Sequence, residues 1–210
     1  MEQAYIAIGD IHGLARTLDR LLERLPAAGT LVFLGDYIDR GPSAKDVIDR
    51  LLVLEATRDC IFLRGNHEAM ALAALDGDER MGIAWDMNGG LPTLRSYDFS
   101  LPDDHLEFLR RTRPYFVTEQ YIFVHGGLLP GLQPEEMMEE MLWWTREPFL
   151  TSNYDWGRLV IHGHTPTPSG RPDVRPNRIN IDTGAVYGGK LTAVILPECR
   201  FIAVKPQDRA

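Results

Sequence analysis

Cysteine is scarce in this chain, long apolar runs are missing, and positive charge is in deficit. Each shortage removes a class of function. Cys60 and Cys199 are the two cysteines among 210 residues, too few for a disulfide framework, and neither has a Cys or His at zinc-finger spacing. Both lie in or beside apolar stretches, so both are expected as small core residues in a reducing compartment. No stretch approaches the roughly twenty apolar residues that cross a bilayer. The N-terminus leads straight into a strand pattern, without a basic segment followed by a long apolar region. A cytoplasmic protein without a membrane partner is therefore expected. Lys and Arg total 22 against 30 Asp and Glu, a formal net charge of -8, which offers no overall basic footprint for a nucleic acid. Repeats and low-complexity linkers are also absent. Residues 1–210 read as one domain, a length that suits a single core.

What the chain does have is a spaced series of Asp, His and Asn residues bracketed by glycine. Gly9-Asp10-Ile11-His12-Gly13 comes first, then Gly35-Asp36-Tyr37-Ile38-Asp39-Arg40-Gly41, then Gly65-Asn66-His67-Glu68. His125-Gly126-Gly127 and His162-Gly163-His164 follow. The first three each end a short apolar run: Tyr5 to Ile8, Leu31 to Leu34 and Cys60 to Leu63. Such runs read as buried strands that deliver a side chain at their tips. Between them, Leu14 to Leu25 and Ala44 to Ala56 carry helical apolar stripes, the second after Ser43 as an N-cap candidate. This βαβαβ order predicts a mainly parallel start to a sheet, with loops gathered at the strand carboxyl ends. Met81 to Tyr97 resists assignment. Asp103 to Arg111 and Pro134 to Leu142 read as helices. Tyr115 to Thr118, Tyr121 to Val124, Leu159 to Ile161, Arg178 to Ile181, Leu191 to Leu196 and Phe201 to Val204 read as strands. Two sheets packed face to face, with helices outside, are expected.

Asp, His and Asn brought together make a mixed oxygen and nitrogen site suited to divalent transition metals. One ion would take Asp10, His12 and Asp36. A second would share Asp36, whose two oxygens can bridge ions about 3.5–4 Å apart. It would add Asn66, His125 and either His162 or His164. Two metals in this setting point to phosphate-ester hydrolysis by hydroxide bridging the ions. His67 is assigned to protonating the leaving oxygen, with Asp39 orienting its ring. Arg40 and Arg146 are the phosphate clamps, since a guanidinium matches two phosphate oxygens in a fork. The bland alternative for Arg146 is a surface charge paired with Glu147 beside core tryptophans. Glu135, Glu136, Glu139 and Glu140 read as a solvated helix face, and Arg171, Arg175 and Arg178 as a solvated basic loop.

Taken in this order, the motifs resemble those of the phosphoprotein phosphatase family of metal-dependent Ser/Thr phosphatases, from residue 9 to about residue 189. The resemblance implies a four-layer αββα metallophosphoesterase-like sandwich. It also implies two divalent ions, manganese first, with iron or zinc as alternatives. It supports Asp10, His12, Asp36, Asn66, His125 and His164 as ligands, preferring His164 because the family motif is Gly-His. It supports His67 with Asp39 for proton donation and Arg40 for phosphate. Trp144-Thr145-Arg146 is similar to a short bacterial motif whose Arg contacts phosphate. No Ser-Ala-Pro-Asn-Tyr segment occurs near the C-terminus. Ile181-Asp182-Thr183-Gly184-Ala185-Val186-Tyr187-Gly188-Gly189 stands in its region, as in the bacterial and phage branch, so no regulatory subunit is implied. The expected activity is a Ser/Thr protein phosphatase acting on a phosphoprotein or phosphopeptide, with phosphotyrosine also open. The alternative is a hydrolase of dinucleoside tetraphosphates or other nucleotides using the same two metals.

Overall fold

The computed structural model describes residues 3–208. Strand β1 (Tyr5–Ile8), helix α1 (Ala15–Leu22), strand β2 (Thr30–Phe33), helix α2 (Ala44–Thr57) and strand β3 (Cys60–Phe62) form the expected alternating unit, with β1, β2 and β3 parallel. Strands β9 (Leu191–Leu196) and β10 (Arg200–Val204) return antiparallel on the other side of β1 and complete a sheet of order β10-β9-β1-β2-β3. The second sheet runs β4-β5-β6-β8-β7. It is built from β4 (Tyr115–Val117), β5 (Tyr121–Val124), β6 (Leu159–His162), β7 (Asp173–Val174) and β8 (Arg178–Asn180). Its three inner strands are parallel and its two edge strands antiparallel.

Strand alternation builds the layers. Successive side chains point to opposite faces of a strand. Ile6, Ile8, Leu31, Phe33, Ala193 and Ile195 therefore face the helices, and Tyr5, Ala7, Val32, Leu34, Val194 and Leu196 face the second sheet. Tyr121, Phe123, Ile161 and Ile179 meet them from that sheet, while Ile122, Val124 and Val160 turn outward onto Leu142, Phe149 and Trp156. The result is the metallophosphoesterase-like α/β arrangement expected above, two mixed sheets flanked by helices. All strand carboxyl ends that carry the glycine-bracketed motifs meet along one edge.

Several details depart from the sequence reading. Met81 to Tyr97, left unassigned, contains helices α4 (Glu79–Met87) and α5 (Leu91–Ser96), after α3 (Asn66–Leu75). The side chain of Asp78 caps α4 by accepting from Arg80 and Met81 N–H, but Trp85 is the one fully buried residue of α4, so no apolar stripe announces it. Helix α6 (Asp103–Arg110) matches expectation. The helix expected from Pro134 to Leu142 is two pieces, a single 3-10 turn at Pro134–Glu136 and helix α7 (Glu139–Trp144). Met137 is extended between them and drops its side chain into the core. The break also separates glutamates whose repulsion at three- and four-residue spacing disfavours a continuous helix. Cys60 is half-buried, but Cys199 is exposed in the turn between β9 and β10, not in the core. Arg178 is no solvated loop residue either: it is buried, and its guanidinium donates to the carbonyls of Ser152 and Leu150. Among the described residues no helix is long and apolar enough to cross a membrane.

Candidate functional site

Asp10 and His12 follow β1, Asp36, Asp39 and Arg40 follow β2, and Asn66 and His67 open α3 after β3. His125 follows β5, and His164 follows β6. The backbone at these tips is strained. His12, Asp36, Asp39, Arg40 and His164 make up five of the eight described non-glycine residues with positive φ, at 47°, 52°, 71°, 67° and 66°. Such conformations cost about 1–3 kcal/mol each and persist where surrounding structure enforces them. Glycine makes the close approach possible: a Cβ on Gly163 would overlap Asp10 Oδ1.

Two groups of ligand atoms converge. His12, Asp36 and His67 form one, and Asp36, His125 and His164 the other, so Asp36 belongs to both. Its Oδ2 lies 3.4 Å from His12 Nε2 and its Oδ1 3.3 Å from His125 Nε2. Asn66 Oδ1 sits 3.1 Å from His125 Nε2 and 2.9 Å from His164 Nδ1. Asp10 joins through Oδ2, which accepts from His164 N–H at 3.0 Å, while its buried Oδ1 has no hydrogen-bond partner among the described residues. His12 Nδ1 lies 2.9 Å from the Ile38 carbonyl and His125 Nδ1 2.9 Å from that of Leu34. A carbonyl can only accept, so each Nδ1 carries the proton and each Nε2 faces the cluster. His162, the alternative to His164, belongs to neither group. Its ring packs 4.8 Å from Phe149.

His67 Nδ1 is 2.6 Å from Asp39 Oδ2, and its Nε2 looks into the site without a hydrogen-bond partner, 3.9 Å from Asp36 Oδ2. Arg40 Nη1 donates to His12 Nε2 at 2.6 Å, and its guanidinium lies over the Tyr187 ring at 5.4 Å. Arg146 is exposed on the rim, its charge near enough to disfavour a proton on His164. It makes no ion pair with Glu147, whose carboxylate accepts from Thr151 instead.

The buried charges do not balance. Burial pushes Asp10, Asp39, Glu68 and Asp182 up from the usual carboxyl range, Glu68 to about 7 and Asp182 to about 6. Asp36 goes the other way: against its burial, the charges of His125 and His67 hold it well below that range. Burial drives His12 and His162 down to about 3 and His164 lower still. His125 is pushed down by burial too, but Asp36, with help from Asp10 and Glu68, outweighs this and lifts it to about 9. The carboxylates around His125 thus favour its protonated form. Its Nε2 faces Asp36 Oδ1 and Asn66 Oδ1, two acceptors that a divalent ion would satisfy in place of that proton.

Four residues that the sequence reading gave no role complete the site. Glu68 accepts from the N–H groups of Gly65, Asp36 and Tyr37 at 2.9, 2.8 and 2.8 Å, which ties the β2 and β3 tips together. Its place within the third motif was the available signal. Asp182 accepts from Gly184 N–H at 3.0 Å, and its place just after the strand expected over Arg178 to Ile181 was the available signal. Trp85 and Thr93 hold Asp39 from α4 and α5, and nothing local marked them.

The model of the calcineurin-like phosphoesterase family matches residues 5–194. The chain belongs to that family. The family's fold and the paired His and Asp clusters together make it a metal-dependent phosphoesterase with donors compatible with a dinuclear divalent site. It is similar to the bis(5'-nucleosyl)-tetraphosphatase PrpE (asymmetrical) of Halalkalibacterium halodurans, 25% identical over 94% of this chain and 92% of that protein. It is also similar to that of Oceanobacillus iheyensis, 27% identical over 94% and 90%. In fold it resembles a crystal structure provisionally described as a diadenosine tetraphosphatase, with a TM-score of 0.77, 22% identity, and coverage of 99% of this chain and 95% of that one.

Proposed function

We propose that the chain hydrolyses dinucleoside tetraphosphates or closely related nucleotides, in preference to the phosphoprotein substrate that the motifs alone put first. The observation that carries this is similarity spanning 94% of the chain to relatives named as bis(5'-nucleosyl)-tetraphosphatases. The motifs of the catalytic cleft are common to both readings and do not separate them.

In this reading Asp10, His12 and Asp36 hold one cation, and Asp36, Asn66, His125 and His164 hold the other, with manganese the first candidate and iron or zinc the alternatives. When bound, such ions supply Lewis acidity toward phosphate oxygens and a water acidic enough to ionise near neutral pH. The chain's own residues do the rest. Asp39 fixes the His67 ring so that Nε2 faces the leaving oxygen, and its charge balances the ring when both nitrogens carry protons. Arg40, whose guanidinium reaches His12 Nε2, would offer its remaining N–H donors to a phosphate in the cleft. Arg146, exposed near His164, would supply a second guanidinium.

The test is manganese-dependent turnover of a dinucleoside tetraphosphate beside a phosphoserine peptide, with Asp36→Asn as the control. Faster nucleotide turnover, abolished by the substitution, is expected. Faster peptide turnover, equally abolished, would return the protein-phosphatase reading to first place.

A further inference from the structure

Of the aromatic side chains that a nucleotide might use here, most are already committed. Tyr37 is buried, with its hydroxyl donating to the Leu63 carbonyl. Trp85 is buried against Asp39, Trp143 is covered by the Arg64 guanidinium at 5.7 Å, and Trp156 lies in the core. Trp144 is partly exposed, but its ring meets the candidate ligand His164 at 6.0 Å in an edge-on contact. Tyr187 differs from all of these: it is 65% exposed.

The segment that carries Tyr187 is nevertheless tightly held. It is a single turn, Ala185–Tyr187, between Gly184 and Gly188, which sit at φ 71° and 88°. Asp182 Oδ1 accepts from Gly184 N–H, Gly189 N–H donates to the Gly184 carbonyl, and Lys190 N–H donates to that of Thr183. Ala185 is buried in the core and Val186 packs against it. The loop therefore needs nothing from the tyrosine ring, yet it fixes where the ring stands. One face lies over Arg40, and Arg40 reaches His12. Aromatic ring, guanidinium and candidate metal group follow one another in the order of base, phosphate and reacting phosphorus in one nucleotide.

We propose that Tyr187 is the platform on which a substrate nucleobase stacks, with its inner face on Arg40 and its outer face against the base. The ligand class is taken from the nucleotide reading above. A planar ring on a rigid loop stacks a base at low entropic cost and tolerates any base, because every base offers a π-face.

The test compares adenosine 5'-monophosphate with ribose 5-phosphate as inhibitors of aryl phosphate turnover by the manganese-loaded enzyme. The two share sugar and phosphate and differ in the base. In the wild type the adenosine compound is expected to bind about tenfold more tightly, from base–aromatic stacking. Tyr187→Ala should bring the ratio of the two constants to about one, and Tyr187→Trp should keep it, as expected for stacking. A ratio near one in the wild type, a ratio unchanged in Tyr187→Ala, or a ratio lost in Trp144→Ala instead would overturn the assignment. Dinucleoside tetraphosphate turnover with an unchanged ratio would overturn only the platform. A ratio that collapses in Tyr187→Ala, in an enzyme that ignores the tetraphosphate, would support the platform and overturn only the substrate reading.

Discussion

The indole N–H of Trp85 lies 2.9 Å from both carboxylate oxygens of Asp39, and the Thr93 hydroxyl donates to Oδ1 of the same carboxylate at 2.7 Å. Asp39 is wholly buried, and these donors favour its charged form against that burial and aim it at His67 Nδ1. Trp85→Phe keeps the ring's packing and removes the N–H. A buried acceptor left short of a donor costs about 1–3 kcal/mol of stability, and loosening an orienting partner typically costs 10–100-fold in activity. The expected result is a fold retained by circular dichroism and a fall of that order in kcat. The loss should be larger on alkyl than on activated aryl phosphates. Equal losses on both substrates would mean that Trp85 acts through packing and not through the Asp39–His67 pair.

His67→Asn removes the atom that faces the leaving group. General acids contribute about 10²–10⁴-fold when the departing oxygen is strongly basic. The loss should therefore approach that range on an alkyl phosphate. It should be smaller on p-nitrophenyl phosphate and on a dinucleoside tetraphosphate, whose phosphate and phenolate leaving groups depart with little help. Manganese content should stay at the wild-type level. A uniform loss across all three substrates would remove the general-acid role.

Two glycine-to-alanine changes should have opposite effects. At Gly163 the new methyl would overlap Asp10 Oδ1, forcing the carboxylate out of place. Manganese affinity at one site should fall about 10–100-fold, as read by titration calorimetry. At Gly82, inside α4, a methyl meets nothing nearer than Ala74 Cβ at 3.9 Å. Replacing a mid-helix glycine there should stabilise the fold by about 0.5–1 kcal/mol. Unchanged metal affinity in Gly163→Ala would show that Asp10 holds its place without the close approach.

How much of this was legible depended on whether a signal was local. Gly9-Asp10, Gly35-Asp36 and Gly65-Asn66 each follow an apolar run of strand length, so strand tip and candidate ligand are read from the same few residues. The sandwich follows from alternation, since Ile6 and Ile8 must face away from Tyr5 and Ala7. Trp85 and Thr93 could not be found this way, because their bonds to Asp39 span 46 and 54 residues. They also arise from helices whose exposed surface hides the apolar period. Glu68 stood within a recognised motif, but its role of joining two strand tips exists only once those tips are adjacent. Spacing left His162 and His164 both open and the family resemblance preferred His164, whose Nδ1 lies 2.9 Å from Asn66 Oδ1 in the structure.

The two thiols should differ sharply in reactivity. Cys199 is exposed, while burial pushes the half-buried Cys60 up to about 11. The thiolate is the reacting species, so an alkylating reagent at pH 8 should modify Cys199 first and Cys60 far more slowly. The Cys60 rate should go on rising by about tenfold per pH unit until pH approaches 11, as its thiolate fraction does. Mass spectrometry of the partly labelled protein would check this. Equal labelling at pH 8 would contradict the burial of Cys60.

Removing the cations should lower stability, by an amount that depends on pH. A ligand that binds only the folded state at 100–1,000 times its dissociation constant adds about 3–4 kcal/mol. For a chain of this length that is a shift of about 5–15 °C in Tm. Adding chelator at pH 7.5 should reverse it. His12, His162 and His164 are depressed in the fold, so between about pH 6.5 and 3 the unfolded chain binds more protons and acid destabilises the native state. Glu68 and Asp182 are raised to about 7 and about 6, so between their unfolded values near 4 and these values the fold binds more protons and acid stabilises it. In the chelated protein the two effects oppose each other, while His125, raised to about 9, adds an acid stabilisation of its own between about pH 9 and 6.5. With cations bound, His12, His125 and His164 must be free of protons at their ligating nitrogens, so protons compete with the cations for these ligands as pH falls. The Tm advantage conferred by manganese should therefore shrink steadily from pH 7 to pH 5. A constant gap over that range would mean that the cations bind somewhere other than this cluster of histidines and carboxylates.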